Sequence, residues 1–215
     1  GFNDTDREGM LTYGFDRVAT YVTNYSYPYF CERMKELGFD DESKWLEKEF
    51  AIPDKPYERM IEVAKKVEEK IEVKDVALTM PLKDIVKQYG AKLFDTYNKA
   101  YAPLDGFVPV DELTEKNVLK TFATVLNKRY ISILVDKNDE VAAFGVVIPS
   151  LVKPLAKHRG KLFPTGFIGI LSSIKKPEAL EMALIGVRPE YKNTGINAVV
   201  IAHIMNHVIE DGIKR

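Results

Sequence analysis

The sequence predicts an α/β fold of the α+β kind: a mixed, mostly antiparallel sheet flanked by helices. Three observations predict it. Residues 130–135 and 141–148 are strand-like runs separated by Asp136-Lys137-Asn138-Asp139, which is hairpin chemistry. Residues 53–72 and 82–101 repeat their apolar side chains at helical spacing. Finally, residues 179–202 run apolar up to Pro189, turn through a polar stretch holding Gly195, and turn apolar again from Ile196, which reads as strand, tight turn, helix.

Composition bounds the answer. The chain has 215 residues, 46% of them hydrophobic, and a formal charge of −1. That length suits one domain or one and a half, with enough apolar residues for a core. No apolar run approaches the roughly 20 residues that cross a bilayer, so no membrane partner is expected. Near-zero charge argues against nucleic acid as a partner. Cys31 is the only cysteine, which leaves no disulfide framework and no cysteine metal site. It is expected to be a packed or idle thiol. The expected location is cytoplasmic.

In chain order, the opening is turn-rich. Asp4, Asp6 and Glu8 alternate as in a calcium loop, and Gly9 fits the sixth position of an EF-hand, but Phe15 occupies the twelfth, where glutamate is required. No metal is expected there. Tyr21, Tyr25, Tyr27 and Tyr29 crowd the next stretch, and packing is their expected role. Residues 29–37 suit a short helix ended by Gly38. Residues 53–72 predict a connecting helix whose buried stripe holds Tyr57, Met60, Ile61, Ala64, Val67 and Ile71. Residues 71–78 suit a first strand.

Two helices follow. Residues 82–101 carry Leu82, Ile85, Val86, Tyr89, Leu93, Tyr97 and Tyr101 on one side. The next is expected to start near Thr114 as its N-cap, with Leu113 as a staple, and to present Val118, Leu119, Phe122, Val125 and Leu126. After the hairpin lies a long insert, residues 149–169, with Lys153, Lys157, His158, Arg159 and Lys161. A connection of this length is expected to be a lid or to hold a local helix. Its charges suit a phosphate or an acidic acceptor, or simply solvent.

The turn before the last helix carries the chemistry. The first N–H groups of a helix have no partner within it, and the helix dipole adds positive charge at the same place. A phosphate or pyrophosphate is the usual occupant of such a turn. Gly195 lets the backbone approach it without a Cβ in the way.

The stretch Val187-Arg188-Pro189-Glu190-Tyr191-Lys192-Asn193-Thr194-Gly195-Ile196-Asn197-Ala198 resembles the acyl-CoA signature of the GNAT superfamily of N-acetyltransferases. There a strand ending in V-x-P leads into [Q/R]-x-x-G-x-[G/A] and the third helix. Lys192 stands where glutamine or arginine is usual, and Asn197 where glycine or alanine is usual. The wider context, AFGVVIPS and GKLFPTGF before the signature, resembles a GNAT-like group of larger bacterial proteins. The likeness covers roughly the second two-thirds of the chain.

The resemblance implies several things. The acyl donor is acetyl-CoA or another acyl-CoA, the acceptor is a small-molecule amine, and no metal takes part. Val187, Lys192, Asn193, Thr194, Gly195, Ile196 and Asn197 hold the CoA, with a backbone N–H near Val187 on the thioester oxygen. Glu181, six residues before Val187, has the spacing of the general base in histone-type members. Simple alternation places Glu181, Ala183, Ile185 and Val187 on one face, and burial is expected to raise the pKa of Glu181. A carboxylate exposed at a strand end is the plain alternative. The family continues with further strands and a helix that would follow Arg215, so the intact protein is expected to be longer. In the GNAT-like group a segment such as Gly9-Met10-Leu11 and Gly14-Phe15-Asp16 closes an upstream domain. The expected divisions are 1–52 as the end of such a unit, 53–72 as the connecting helix and 73–215 as the acyltransferase domain, which packs against the upstream unit.

His203 and His207 share one side of the last helix, but the glutamate of a zinc HExxH motif is missing and no third ligand is evident. No nucleophile elbow of the form G-x-S-x-G occurs. Two function classes remain: an acyl-CoA N-acyltransferase, and a GNAT-shaped binding or interaction module without catalysis.

Overall fold

The computed structural model describes residues 9–20, 23–41, 43–104, 106–122 and 125–215. Asp4, Asp6, Glu8 and Tyr21, along with the side chain of Phe122, lie outside the described residues.

Four strands pair antiparallel in the order β1-β2-β3-β4. They are β1 (Lys74–Asp75), β2 (Ile131–Val135), β3 (Val141–Pro149) and β4 (Leu180–Val187). The hairpin β2–β3 forms where the sequence places it, closed by the Asp139 N–H on the Asp136 carbonyl at 3.0 Å. Both strands are almost wholly buried because helices cover the two faces of the sheet.

On one face lie α2 (Glu58–Ile71) and α7 (Ile196–Glu210). Their Ala64, Val199, Val200 and Ile204 pack on Ala143 and Val147. On the other face lie α3 (Leu82–Tyr101) and α4 (Glu112–Phe122), where Ile85, Tyr89, Phe94 and Tyr97 meet Ile133 and Phe144. Two glycines set these contacts. A Cβ on Gly145 would sit 2.5 Å from Val200 Cγ1, and one on Gly186 would sit 2.5 Å from the Phe144 ring. α7 therefore seats on bare backbone on its face, and Phe144 does so on the other.

The helix over 82–101 spans the predicted residues. Others differ in detail. α2 begins at Glu58 rather than Pro53, since the residue before Pro56 is held out of the helical region. It keeps its buried stripe, but Tyr57 is exposed. The first strand shrinks to Lys74–Asp75, because residues 76–79 turn, with the Thr79 N–H and hydroxyl both on the Val76 carbonyl. α4 is capped by Asp111, whose carboxylate accepts the Thr114 N–H at 2.8 Å. Thr114 is thus inside the helix, and Leu113 is exposed rather than stapled.

α1 (Pro28–Glu36) ends before Gly38, which is left-handed at φ +86°. It buries no residue of its own. Tyr25, Tyr27 and Tyr29 are exposed and contact one another, so the packing expected of them is not found. Their segment touches itself more than the sheet, as in the Leu11 N–H on Ser26 Oγ and the Cys31 thiol on the Leu11 carbonyl. The insert before β4 forms two helices, α5 (Val152–Lys157) and α6 (Gly166–Lys175). Among the described residues, no helix is long and apolar enough to cross a membrane.

Candidate functional site

The site candidate is the turn joining β4 to α7. Two side chains fix the turn to the hairpin. Arg188 is buried, and its guanidinium donates to Asp95 Oδ2 at 2.8 Å and Glu140 Oε2 at 3.2 Å. Its Nε has no partner among the described residues. Tyr191 donates its hydroxyl to Asp136 Oδ2 at 2.8 Å. Burial, with the Asp136 carboxylate, pushes the Tyr191 phenol up to about 12. Burial works against the charge on Asp136, but the Glu140 amide, the Tyr191 hydroxyl and the Asn138 amide outweigh it and hold the carboxyl below its usual value.

Between these ties and α7 the backbone turns twice into the left-handed region, at Asn193 (φ +62°) and Gly195 (φ +87°). The amides of Tyr191, Lys192 and Thr194 bond back within the turn. Thr194 Oγ1 donates to the Tyr191 carbonyl at 2.7 Å and accepts a long contact from the Ile196 N–H at 3.4 Å. Gly195 is the N-cap and brings no side-chain cap of its own. Among the described residues the amides of Gly195 and Asn197 have no partner. Lys192, Asn193, Thr194 and Asn197 are exposed, whereas the Ile196 side chain lies in the core and leaves only its backbone to a ligand. The turn therefore presents open N–H groups beside a lysine, an arrangement suited to an anion. α2 lies close by: a Cβ on Gly195 would be 3.2 Å from Val67 Cγ2.

Among the described residues no further strand pairs with the outer edge of β4. The Arg188 N–H points inward to the Ala142 carbonyl. Alternation then turns the N–H groups of Val187 and Ile185 outward. The Ile185 carbonyl on this edge accepts the Tyr101 hydroxyl at 3.0 Å. Near the start of the strand the Leu180 N–H reaches the Arg215 carbonyl at 2.9 Å.

Glu181 stands at that far end of β4, half-buried, and accepts the Ser150 hydroxyl at 2.6 Å. The structure corrects its expected orientation. Met182 pairs with Val147 and Leu184 with Val146, which leaves Ala183 as an extra residue, a β-bulge. Leu180, Ile185 and Val187 pack toward α7, and Leu184 toward α3. Glu181 next to Leu180 therefore faces the α3 side, opposite Ile185 and Val187. A one-residue bulge inverts the face for everything beyond it, and nothing in the sequence marked it.

His203 and His207 do not share a ligand. His203 Nδ1 meets Asp75 Oδ2 at 2.9 Å, while His207 Nδ1 meets Glu210 Oε2 at 3.2 Å. Among the described residues no group of side chains is arranged to hold a metal ion. Arg188, Tyr101 and Tyr191 were missed as site residues. A buried arginine between a strand and a proline carries no periodic signal, Tyr101 reads as an ordinary apolar-face residue, and Tyr191 reads only as part of the turn. No protein-family model matches the chain, and no curated protein matches it.

Proposed function

We propose that this chain is an acyl-CoA-dependent N-acyltransferase of the GNAT type, moving an acetyl group from acetyl-CoA to the amine of a small molecule. One observation carries the reading: the start of α7, where among the described residues the amides of Gly195 and Asn197 are open beside exposed Lys192. Those groups would take the CoA pyrophosphate. The open edge of β4 supports it. Pantetheine contains secondary amides, which an unpaired strand edge hydrogen-bonds as it would another strand. The six steps from Glu181 to Val187 span about 20 Å, a length of the same order as an extended pantetheine arm.

In this scheme the amine attacks the thioester carbonyl and the C–S bond breaks to release the thiolate; with the arm laid along β4 from the turn the thioester lies toward Glu181, so the N–H of Val187, about 20 Å away, does not reach its oxygen. Glu181 accepts the proton that the amine must shed. Holding the reactants in line is the larger part of the work.

A second reading, a GNAT-shaped binding module without catalysis, is favoured by the closeness of Val67 to Gly195, which narrows the approach to the turn. Thermal unfolding with acetyl-CoA separates the two readings. A ligand at a hundredfold its Kd stabilises by about 2.7 kcal/mol, so the melting midpoint should rise. Free-thiol release with a panel of amines then separates enzyme from module. No rise at millimolar acetyl-CoA sinks the acyl-CoA reading.

A further inference from the structure

We propose that the α5–α6 insert is a docking surface for an anionic lipid bilayer, so that the protein works at a membrane face. The proposal is independent of the acyl-transfer reading.

The starting point is an inverted helix. α6 turns its small residues inward: a Cβ on Gly166 would strike the Lys161 carbonyl at 2.0 Å, and one on Gly169 would lie 3.1 Å from Pro154 Cβ. Three of its large apolar residues face out, while Ile170 and Ile174 are half-buried. Phe167, Ile168 and Leu171 are exposed, together with Leu162 and Phe163 just before the helix. Phe163 is 80% exposed, and its ring lies 5.8 Å from that of Phe167. A helix of a water-facing fold does the opposite. The glycines let α6 settle on α5, and the two pack chiefly on each other rather than on the sheet. Burial within the fold therefore does not account for the outer side chains.

Charge names the occupant. Exposed Lys157, Arg159 and Lys161 precede the apolar cluster, and exposed Lys175 and Lys176 follow it. Residues 151–177 contain no aspartate or glutamate, although the whole chain is balanced at −1. An apolar cluster bordered on both sides by cations, with no anion among them, matches the boundary of an anionic leaflet: acyl chains take the rings and headgroup phosphates take the ammonium and guanidinium groups. A protein partner with paired charges would be matched better by a surface of mixed sign. The absence of a spanning helix does not bear on such surface contact.

The test is partition of the whole protein onto vesicles of phosphatidylcholine with or without phosphatidylserine. Binding is expected only with phosphatidylserine and should fall as salt is raised. Phe163→Ser with Ile168→Ser should weaken it by at least about tenfold, as should Lys157→Glu, Arg159→Glu and Lys161→Glu together. Far-UV dichroism and melting check that these surface variants fold. Phe163→Trp, in a Trp45→Phe background, adds a direct reading: its emission should shift to the blue on the anionic vesicles. The proposal is overturned by an unmoved emission, by no partition at low salt, or by binding that the charge changes abolish and the apolar changes leave intact. A dimer that Ile168→Glu dissociates would also overturn it, in favour of contact between copies.

Discussion

Asp75 on β1 and His203 on α7 meet at 2.9 Å although 128 positions separate them. The same carboxylate accepts the Ser132 hydroxyl at 2.6 Å and the amides of Ala77 and Ile133. One side chain thus joins the edge strand, its neighbour β2 and the last helix. His203 also faces Glu68 of α2, its Nε2 being 3.7 Å away.

This cluster makes stability depend on pH. The bond to Asp75 raises the His203 pKa above 6.5 against the opposing effect of burial. Burial alone would raise Asp75, but His203, Ser132 and the two amides hold it below 3.8. The histidine contribution is complete below 6.5 and is lost as pH rises through its folded value. The aspartate contribution is complete above 3.8 and is lost as pH falls through its folded value. Both are present between those limits, so the melting midpoint should peak in weakly acidic buffer and fall on the alkaline side. Asp75→Asn should cost about 1.5–3 kcal/mol and flatten the alkaline limb. A variant that keeps the wild-type pH profile would refute the assignment.

Gly145 and Gly186 should tolerate no added methyl. Alanine at either would place Cβ within 2.5 Å of a packed side chain, Val200 or the Phe144 ring respectively. Overpacking of this kind typically costs about 1–3 kcal/mol. Urea unfolding of Gly145→Ala and Gly186→Ala should show a lower midpoint with an unchanged slope. Because Gly145 seats α7, its variant should also weaken any ligand held at the turn.

Much of this frame is legible in the residues. The 3.6-residue repeat marks α3 from end to end because it reports burial directly, and the polar tetrad at 136–139 marks the hairpin because Asp136 takes the Asn138 and Glu140 amides that close the turn. The strand-turn-helix around Gly195 is legible for the same reason. The bulge at Ala183 is not, since an extra strand residue changes facing without changing hydrophobicity. The Arg188 ties to Asp95 and Glu140 are equally hidden, being contacts between distant positions. Exposure of Tyr25, Tyr27 and Tyr29 runs against the usual habit of aromatic side chains, so composition argued the wrong way.

Gly195→Ala tests the turn itself. The residue sits at φ +87°, where a side chain is strained, and its Cβ would press on Val67. The exchange should cost about 1 kcal/mol or more in stability and abolish the acetyl-CoA-induced rise in melting point. Asn197→Gly should do the opposite for affinity, since it clears the approach to the open amides. Calorimetric titration of both variants with acetyl-CoA checks the pair. Equal affinity in the two would mean that the turn does not touch the nucleotide.

Glu181→Gln separates a working base from a strand-end carboxylate. The amide keeps the shape of the side chain and can still accept the Ser150 hydroxyl, which now lies 2.6 Å from Oε1. It cannot take a proton. If Glu181 deprotonates the amine, kcat should fall by about 10²- to 10⁴-fold while acetyl-CoA affinity stays put, because the proposed pyrophosphate contacts lie at the other end of β4. The residual rate should then rise with pH, since more amine arrives already neutral. The bulge at Ala183 turns Glu181 toward the α3 side of the sheet, so an amine that Glu181 deprotonates would have to approach from that side. A rate unchanged by Glu181→Gln in steady-state assays would remove Glu181 from the mechanism and leave proton removal to solvent.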